Sequence, residues 1–272
     1  MKKSLLLASF LLLACDQQTT NLVFNTQNIA DQKFVMNADM NVFVDDSVPV
    51  DSLESMKTSL RLIVTSSLLM AYDDSSARFE IKVDSVEYTS DKRSVEEYRY
   101  VEQYLSSQNF QFKIAKDGLM SEPVMDNYVS HPESNELEIA KLFLKIQPVF
   151  PGKPVRVGES WERQHAITGE NNEQIVVYKN FTLEDVFNRS GVLLAKIRMN
   201  MRYKQVSNNP QIKMTSEDFI VGSGFLLFNV TMGVVEESVL EVNGKVNVSD
   251  KYSEEEIPKL RVIQKLKLRS FV

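Results

Sequence analysis

A mainly β protein, built on a long curved antiparallel sheet, is the fold class this sequence predicts. Three observations carry that expectation. From Phe34 onward, apolar and polar residues alternate with a period of two, segment after segment. Turn-forming clusters such as Asp73-Asp74-Ser75-Ser76 and Lys116-Asp117-Gly118 punctuate those segments. Only two stretches show helical spacing, so one or two short helices accompany the strands. A sheet of this many half-apolar strands must curl into an open barrel or half-barrel, or fold back as a sandwich, to keep its apolar face dry.

The elements follow in order. Phe34, Met36, Ala38, Met40, Val42 and Val44 share one face of the first strand, with Asn37, Asp39 and Asn41 on the other. Met56–Tyr72 reads best as a long strand, although Leu53, Met56, Leu60, Ile63, Ser67 and Ala71 also fit a helix loosely. The Asp73–Ser76 turn returns the chain as Ala77–Thr89. In that arm the apolar phase changes between Phe79/Ile81/Val83 and Val86/Tyr88. Either a β-bulge at Asp84-Ser85 or a change of core face produces such a slip. Val95, Tyr98, Val101 and Leu105 predict a short amphipathic helix within 91–106. Asn109–Ala115 and Leu119–Val124 are strands around the Asp117-Gly118 turn.

Ser134–Ile146 is the second helix. Ser134 or Asn135 can cap it, and Pro148 forbids its continuation. Its apolar residues cover most of the circumference, so it should be buried on more than one side, across a concave face or in its mouth. Strands resume at Trp161–Ile167, Gln174–Val186, Gly191–Gln205, Gln211–Val221, Phe225–Val230, Val234–Val248 and Leu260–Phe271. Asn243-Gly244 suits a type I′ hairpin or a bulge within a longer strand. No fixed-period repeat appears. Residues 33–272 read as a single β domain, its halves divided near 131–158.

The first fifteen residues concern location. Lys2 and Lys3 precede an apolar run, Leu5–Ala14, broken only by Ser9 and ending at Cys15, the only cysteine in the chain. That run is too short to span a bilayer, which takes roughly twenty residues, but it suits the core of a signal peptide. Leu12-Leu13-Ala14-Cys15 resembles the lipobox of bacterial lipoproteins. The resemblance implies that residues 1–14 are a signal peptide and that Cys15 becomes the lipid-bearing N-terminus. Two or three acyl chains make a stable anchor where one is marginal. Residues 15–32, polar and without a period, read as the lipidated tether, with Leu22 and Phe24 able to pack as an edge segment. The expected location is the bacterial cell envelope, facing the periplasm or the cell surface.

Composition excludes several classes. The chain carries a formal net charge of −6. Loss of residues 1–14 leaves 29 basic against 37 acidic residues, which argues against a nucleic-acid or anionic-lipid binder. The two histidines, His131 and His165, stand alone, and no free cysteine joins them as a metal ligand. Gly158-Glu159-Ser160-Trp161-Glu162 lacks the second glycine of a nucleophile elbow, and no glycine-rich phosphate loop is present. No catalytic residue, metal or cofactor is expected, and the protein does not read as an enzyme.

The most distinctive segment is Pro148-Val-Phe-Pro-Gly-Lys-Pro154-Val-Arg-Val-Gly158-Glu-Ser-Trp161. It resembles the Pro-x-Lys-Pro-Val-x-Val-Gly-Asp-x-Trp signature of a family of bacterial surface or periplasmic lipoproteins of unknown function, with Glu159 in the place of the aspartate. The order of elements around it is similar too. The resemblance implies no activity. Read from the residues themselves, Pro151 and Pro154 bar helix, Gly158 permits a turn, and Trp161 anchors the loop to the core or stacks on a ligand.

Two functions are compatible with these readings. In the first, the curved sheet and the second helix enclose a pocket for a hydrophobic or lipid ligand. Met36, Met40, Met56, Met70, Leu142, Phe143, Met199 and Met201 are then candidate lining residues, because methionine suits an adaptable apolar surface. In the second, the core is packed and the domain presents a surface to an envelope protein. Two basic stripes, Lys196/Arg198/Arg202/Lys204 and Lys265/Lys267/Arg269, are candidates for that surface or for lipid headgroups. Either way the bilayer is a partner through acylated Cys15.

Overall fold

Alternation in sequence becomes alternation in space. The computed structural model describes residues 19–27, 31–44, 56–91, 94–121, 124–125, 139–168, 174–206, 219–247 and 259–271. Its elements are β1 (Gln32–Val44), β2 (Met56–Ala71), β3 (Ala77–Ser90), α1 (Val95–Ser106), β4 (Asn109–Ile114), β5 (Val124–Met125) and α2 (Ile139–Ile146). Then come β6 (Ser160–Thr168), β7 (Gln174–Arg189), β8 (Val192–Val206), β9 (Phe219–Asn229), β10 (Val234–Asn247) and β11 (Lys259–Phe271).

All the strands belong to one antiparallel sheet, in the order β5-β4-β3-β2-β1-β11-β10-β9-β8-β7-β6. The first and last long strands, β1 and β11, pair at its middle, so the chain winds outward along one arm and returns inward along the other. The sheet does not close: β5 and β6 are its two edges. The fold is therefore the open alternative expected above.

The inner face is apolar along every long strand. Met36 and Ala38 of β1, Leu60, Leu62 and Val64 of β2, and Ala195, Ile197 and Met199 of β8 are all buried. The phase change in β3 is a bulge: the register with β2 shifts between Ile63↔Ser85 and Val64↔Val83, which leaves Asp84 unmatched. Beyond it Tyr88 is again buried. Helix α1 begins with a capping box at Ser94 and Glu97 and buries Val101 and Leu105.

Three expectations change in detail. Asn243-Gly244 lies inside β10 in regular register with β9 and β11, neither a hairpin nor a bulge. The strands expected to end at Val221 and to start at Phe225 are one strand, β9. Its two glycines do not break it, because the sheet needs them. A Cβ on Gly224 would overlap the Val239 carbonyl oxygen of β10, and one on Gly222 would crowd the Met201 side chain. The stretch Leu119–Val124 supplies only an isolated bridge, Met120 to Ile114, and the two-residue β5. Residues 131–138, with His131, Ser134 and Asn135, and residues 211–218 lie outside the described residues.

Gly224→Ala should lower stability by about 3 kcal/mol, the upper end of the usual range for a core overpacking defect, because the overlap is with backbone. Gly152→Ala has open space around the new methyl and should cost only about 1 kcal/mol, from its positive φ. Urea unfolding of both variants measures the difference.

Candidate functional site

Helix α2 organises the concave side. Ile139, Ala140, Leu142, Phe143 and Ile146 are all buried and share one broad face of the helix, with Leu144 and Lys145 half-buried on the other side. Its partners come from both arms. Phe143 meets Phe110 of β4 edge-to-face at 5.8 Å. Lys145 Nζ donates to Gln264 Oε1 of β11 (2.9 Å). The last turn of any helix leaves carbonyls without intrahelical partners. Here Lys179 Nζ of β7 donates to the Leu144 carbonyl (2.7 Å) and the Gln147 carbonyl (3.0 Å). Ser238 Oγ of β10 donates to the Ile146 carbonyl (3.3 Å).

The Pro148–Trp161 segment is fastened next. Trp161 Nε1 donates to the Val149 carbonyl (2.8 Å), and the ring stacks on Phe181 at 5.5 Å. Arg163 donates to the Phe150 carbonyl through Nε (3.2 Å) and Nη2 (2.9 Å). Trp161 is only 8% exposed, so it anchors the loop to the core and has no free ring face for a ligand.

A second strap crosses the same end. Residues 20–26 pack on the body rather than hanging from it. Thr20 pairs with Val155 in both directions (2.7 and 2.9 Å). Phe24 N donates to the Lys116 carbonyl (2.8 Å), Asn25 N to the Gly233 carbonyl (2.9 Å), and Thr26 Oγ1 to the Ser75 carbonyl (3.0 Å). Leu22 is buried, and Phe24 packs against Phe150 and Phe228 at 5.1 and 5.3 Å. The strap thus ties the β2–β3 and β4–β5 turns of one arm to the β9–β10 turn and the loop before β6 on the other. Gly118 and Gly233 lie beneath it at positive φ, and a Cβ on either would overlap Phe24 or Asn25.

Between strap and helix remains a hollow of about 70 Å³. Phe24, Phe34, Phe79, Phe112 and Phe143 form its apolar walls, with Asn25, Gln32, Ser66 and Gln147 as polar members. The Gln147 Nε2 atom is buried and has no hydrogen-bond partner. Of the eight candidate lining residues, only Phe143 borders this hollow. Met36, Met40, Leu142, Met199 and Met201 are buried in the packed core, and Met56 is half-buried. Met70 is 52% exposed, which contradicts its expected inner position. The register of β2 shifts between Leu68 and Met70, so Met70 pairs with exposed Arg78 instead of continuing the apolar row. Cys15 lies outside the described residues.

Five of the seven basic-stripe residues, Lys196, Arg198, Arg202, Lys265 and Lys267, have a carboxylate within 4.0 Å, and the Lys204 side chain lies outside the described residues. Lys265 meets Glu241 (3.3 Å) and Lys267 meets Glu237 (3.2 Å). Glu184 takes both Lys196 (3.1 Å) and Arg198 (3.4 Å). Arg202 lies over the Tyr178 ring. These are solvated cross-strand pairs, and their positive charge is largely matched. Among the described residues, no three metal-ligating side chains come together.

Burial depresses two titratable groups and raises a third, Tyr203. Burial pushes the Lys179 amine down to about 7. A neutral amine keeps two N–H donors, so its two carbonyl bonds survive deprotonation. Burial, and secondarily the Lys179 charge, pushes His165 down to about 4. Lys179 is the residue that sequence reasoning missed. The signal existed: Val177, Phe181 and Leu183 are buried on the same face of β7, so Lys179 is a lysine at an inward position of a period-two strand. The strap gave no such signal, because it is held mainly through backbone groups.

No protein-family model matches the chain, and no curated protein matches it.

Both depressed values predict pH dependence. The folded chain binds fewer protons than the unfolded chain between the two pKa values of each group, so stability rises with pH across that window. Lys179 acts from about pH 7 upward, until Tyr203, raised to about 12 by burial, opposes it above about pH 10. His165 acts between about 4 and its ordinary 6.5. Urea midpoints of the wild type should gain on those of Lys179→Met from pH 7 to about 10. Equal slopes would contradict the assignment.

Proposed function

We propose that the protein is a bacterial envelope lipoprotein, anchored through acyl chains on Cys15, whose domain is a structural or interaction body at the membrane surface. The observation that carries this reading is the filled concavity. Helix α2 and the strap occupy the space that an open sheet would offer a ligand. The apolar hollow left between them, about 70 Å³, falls well short of the roughly 300 Å³ at which small-molecule sites begin, and the larger depressions of about 560 and 590 Å³ lie among polar and charged residues such as Asn37, Lys267 and Arg269 or Glu162, Asn180 and Arg202. The Cys15 motif and the preceding apolar run support the anchor and the envelope location. The signature around Trp161 supports kinship with lipoproteins that share it. This reading assigns the chain no reaction and no cofactor.

A second reading is favoured by one specific observation. The unpartnered Gln147 amide stands at an apolar hollow walled by phenylalanines. A hydrophobic ligand with an oxygen-bearing end would satisfy that amide, with Phe24 or α2 yielding space for its chain.

Metabolic labelling with a palmitate analogue tests the anchor: label on the wild type, none on Cys15→Ser, and transfer of the variant from the membrane to the soluble fraction. Native mass spectrometry of the full acylated chain then separates the two readings. The packed body predicts the polypeptide with its covalent acyl groups alone. A further non-covalent lipid mass would favour the ligand.

A further inference from the structure

The antiparallel order fixes which connections share an end of the sheet. The turns β2–β3, β4–β5, β7–β8 and β9–β10, the loop from α2 to β6, the strap and Phe271 of β11 all lie at one end. The described residues show nine large apolar side chains that are markedly exposed, and six belong to this end. They are Leu69 (46%), Met70 (52%), Leu119 (49%), Val157 (49%), Met232 (50%) and Phe271 (55%). Exposed apolar groups scattered singly need no explanation, but a concentration at one end does.

The same end receives the N-terminus. Thr20 is bonded to Val155 in the loop before β6, and Cys15 lies only five steps back along the chain. Even fully extended, that length spans at most about 18 Å. A strap locked at Thr20 therefore holds this end, and no other, within reach of the surface in which the acyl chains are buried.

We infer that this end of the sheet docks on the lipid bilayer, its exposed apolar side chains entering the headgroup–acyl boundary beside the Cys15 anchor. The inference rests on the lipoprotein reading above. Each side chain adds a small apolar contribution, and the covalent anchor makes their sum effective by keeping them at the surface. The charges at this end fit a shallow seat. Lys116, Lys153 and Arg156 are exposed there, placed to reach headgroup phosphates on flexible stems. Asp73 and Asp74 stand at the β2–β3 turn, Asp74 paired with Lys113 at 3.1 Å, and Glu159 is exposed in the loop before β6, so acidic groups share this end with the basic ones. The hollow beside Phe24 is lined by residues of this end as well, so the docked domain brings it close to the lipid.

Tryptophan quenching tests the inference. Leu119→Trp and Met232→Trp place a probe at exposed positions of this end. Val221→Trp is the control on β9, 43% exposed and toward the other end. Each full chain is isolated in its acylated form and reconstituted in phosphatidylcholine–phosphatidylglycerol vesicles with or without bromine on the acyl chains. The native Trp161 gives the same buried background throughout. Insertion of about 5–10 Å predicts at least about two-fold quenching at 119 and 232 and little at 221. Equal quenching at all three positions, or none at 119 and 232 in protein that carries palmitate label, overturns the docking while leaving the anchor intact. Absence of label overturns the anchor, and the docking falls with it.

Discussion

Enclosure of α2 is the constraint on which the rest of the structure depends. Helix α2 buries one broad apolar face, and the partners of that short helix come from both arms of the sheet. In the strand order, β4 and β7 stand eight positions apart. Flat, they would be separated by roughly 38 Å at about 4.8 Å per strand. Yet Phe143 touches β4, while Lys179 of β7 caps the same helix. A helix with its side chains is only about 10–12 Å across, so the sheet must curve around it. The glycines of β9 belong to the same requirement. They admit the Val239 carbonyl and the Met201 side chain, and a Cβ would hold β8 and β10 away.

Enclosure has a polar cost that the structure offsets locally. Helix α2 ends on the concave side, and its last carbonyls have no intrahelical partners. A lysine and a serine, carried by strands that face the helix end, donate to three of those carbonyls. Trp161 and Arg163 do the same for the Val149 and Phe150 carbonyls. The proline-rich segment is therefore a fastening, with its prolines keeping the carbonyls out of helical pairing and turned toward their donors. The strap repeats the device at the open end with backbone donors, joining turns of both arms. One consequence is functional: the apolar hollow shrinks to a remnant, and the N-terminus is delivered to a defined end of the molecule.

Legibility in the sequence followed physical locality. The strands could be read because one buried face imposes a period of two, and the phase slip at Asp84-Ser85 could be read too, although only the register shows it to be a bulge rather than a change of core face. Helix α2 could be read as a helix packed on the concave side, but its described residues bury one broad face rather than most of the circumference. What failed depended on distant partners. Gly222 and Gly224 look like a break until the neighbouring strand's carbonyl is known. Met70 looks inward until the β2–β3 register shifts at Leu68. The strap has no period, because Thr20, Phe24 and Asn25 are held by the backbone of distant turns. Lys179 was legible as an inward lysine, but its partners, carbonyls thirty-odd residues away, were not. The candidate hollow was the least legible part, since the methionines that suggested it fill the core.

Native-state hydrogen exchange of residues 139–150 tests the enclosure of α2 most directly. If the helix is the centre about which the sheet curves, its amides and those of the fastened segment open only with the whole domain. Their protection should lie within about 1 kcal/mol of the global unfolding free energy. Fast exchange of α2 while β1, β8 and β11 remain fully protected would contradict that account, and would show a sheet that keeps its shape without the helix it encloses.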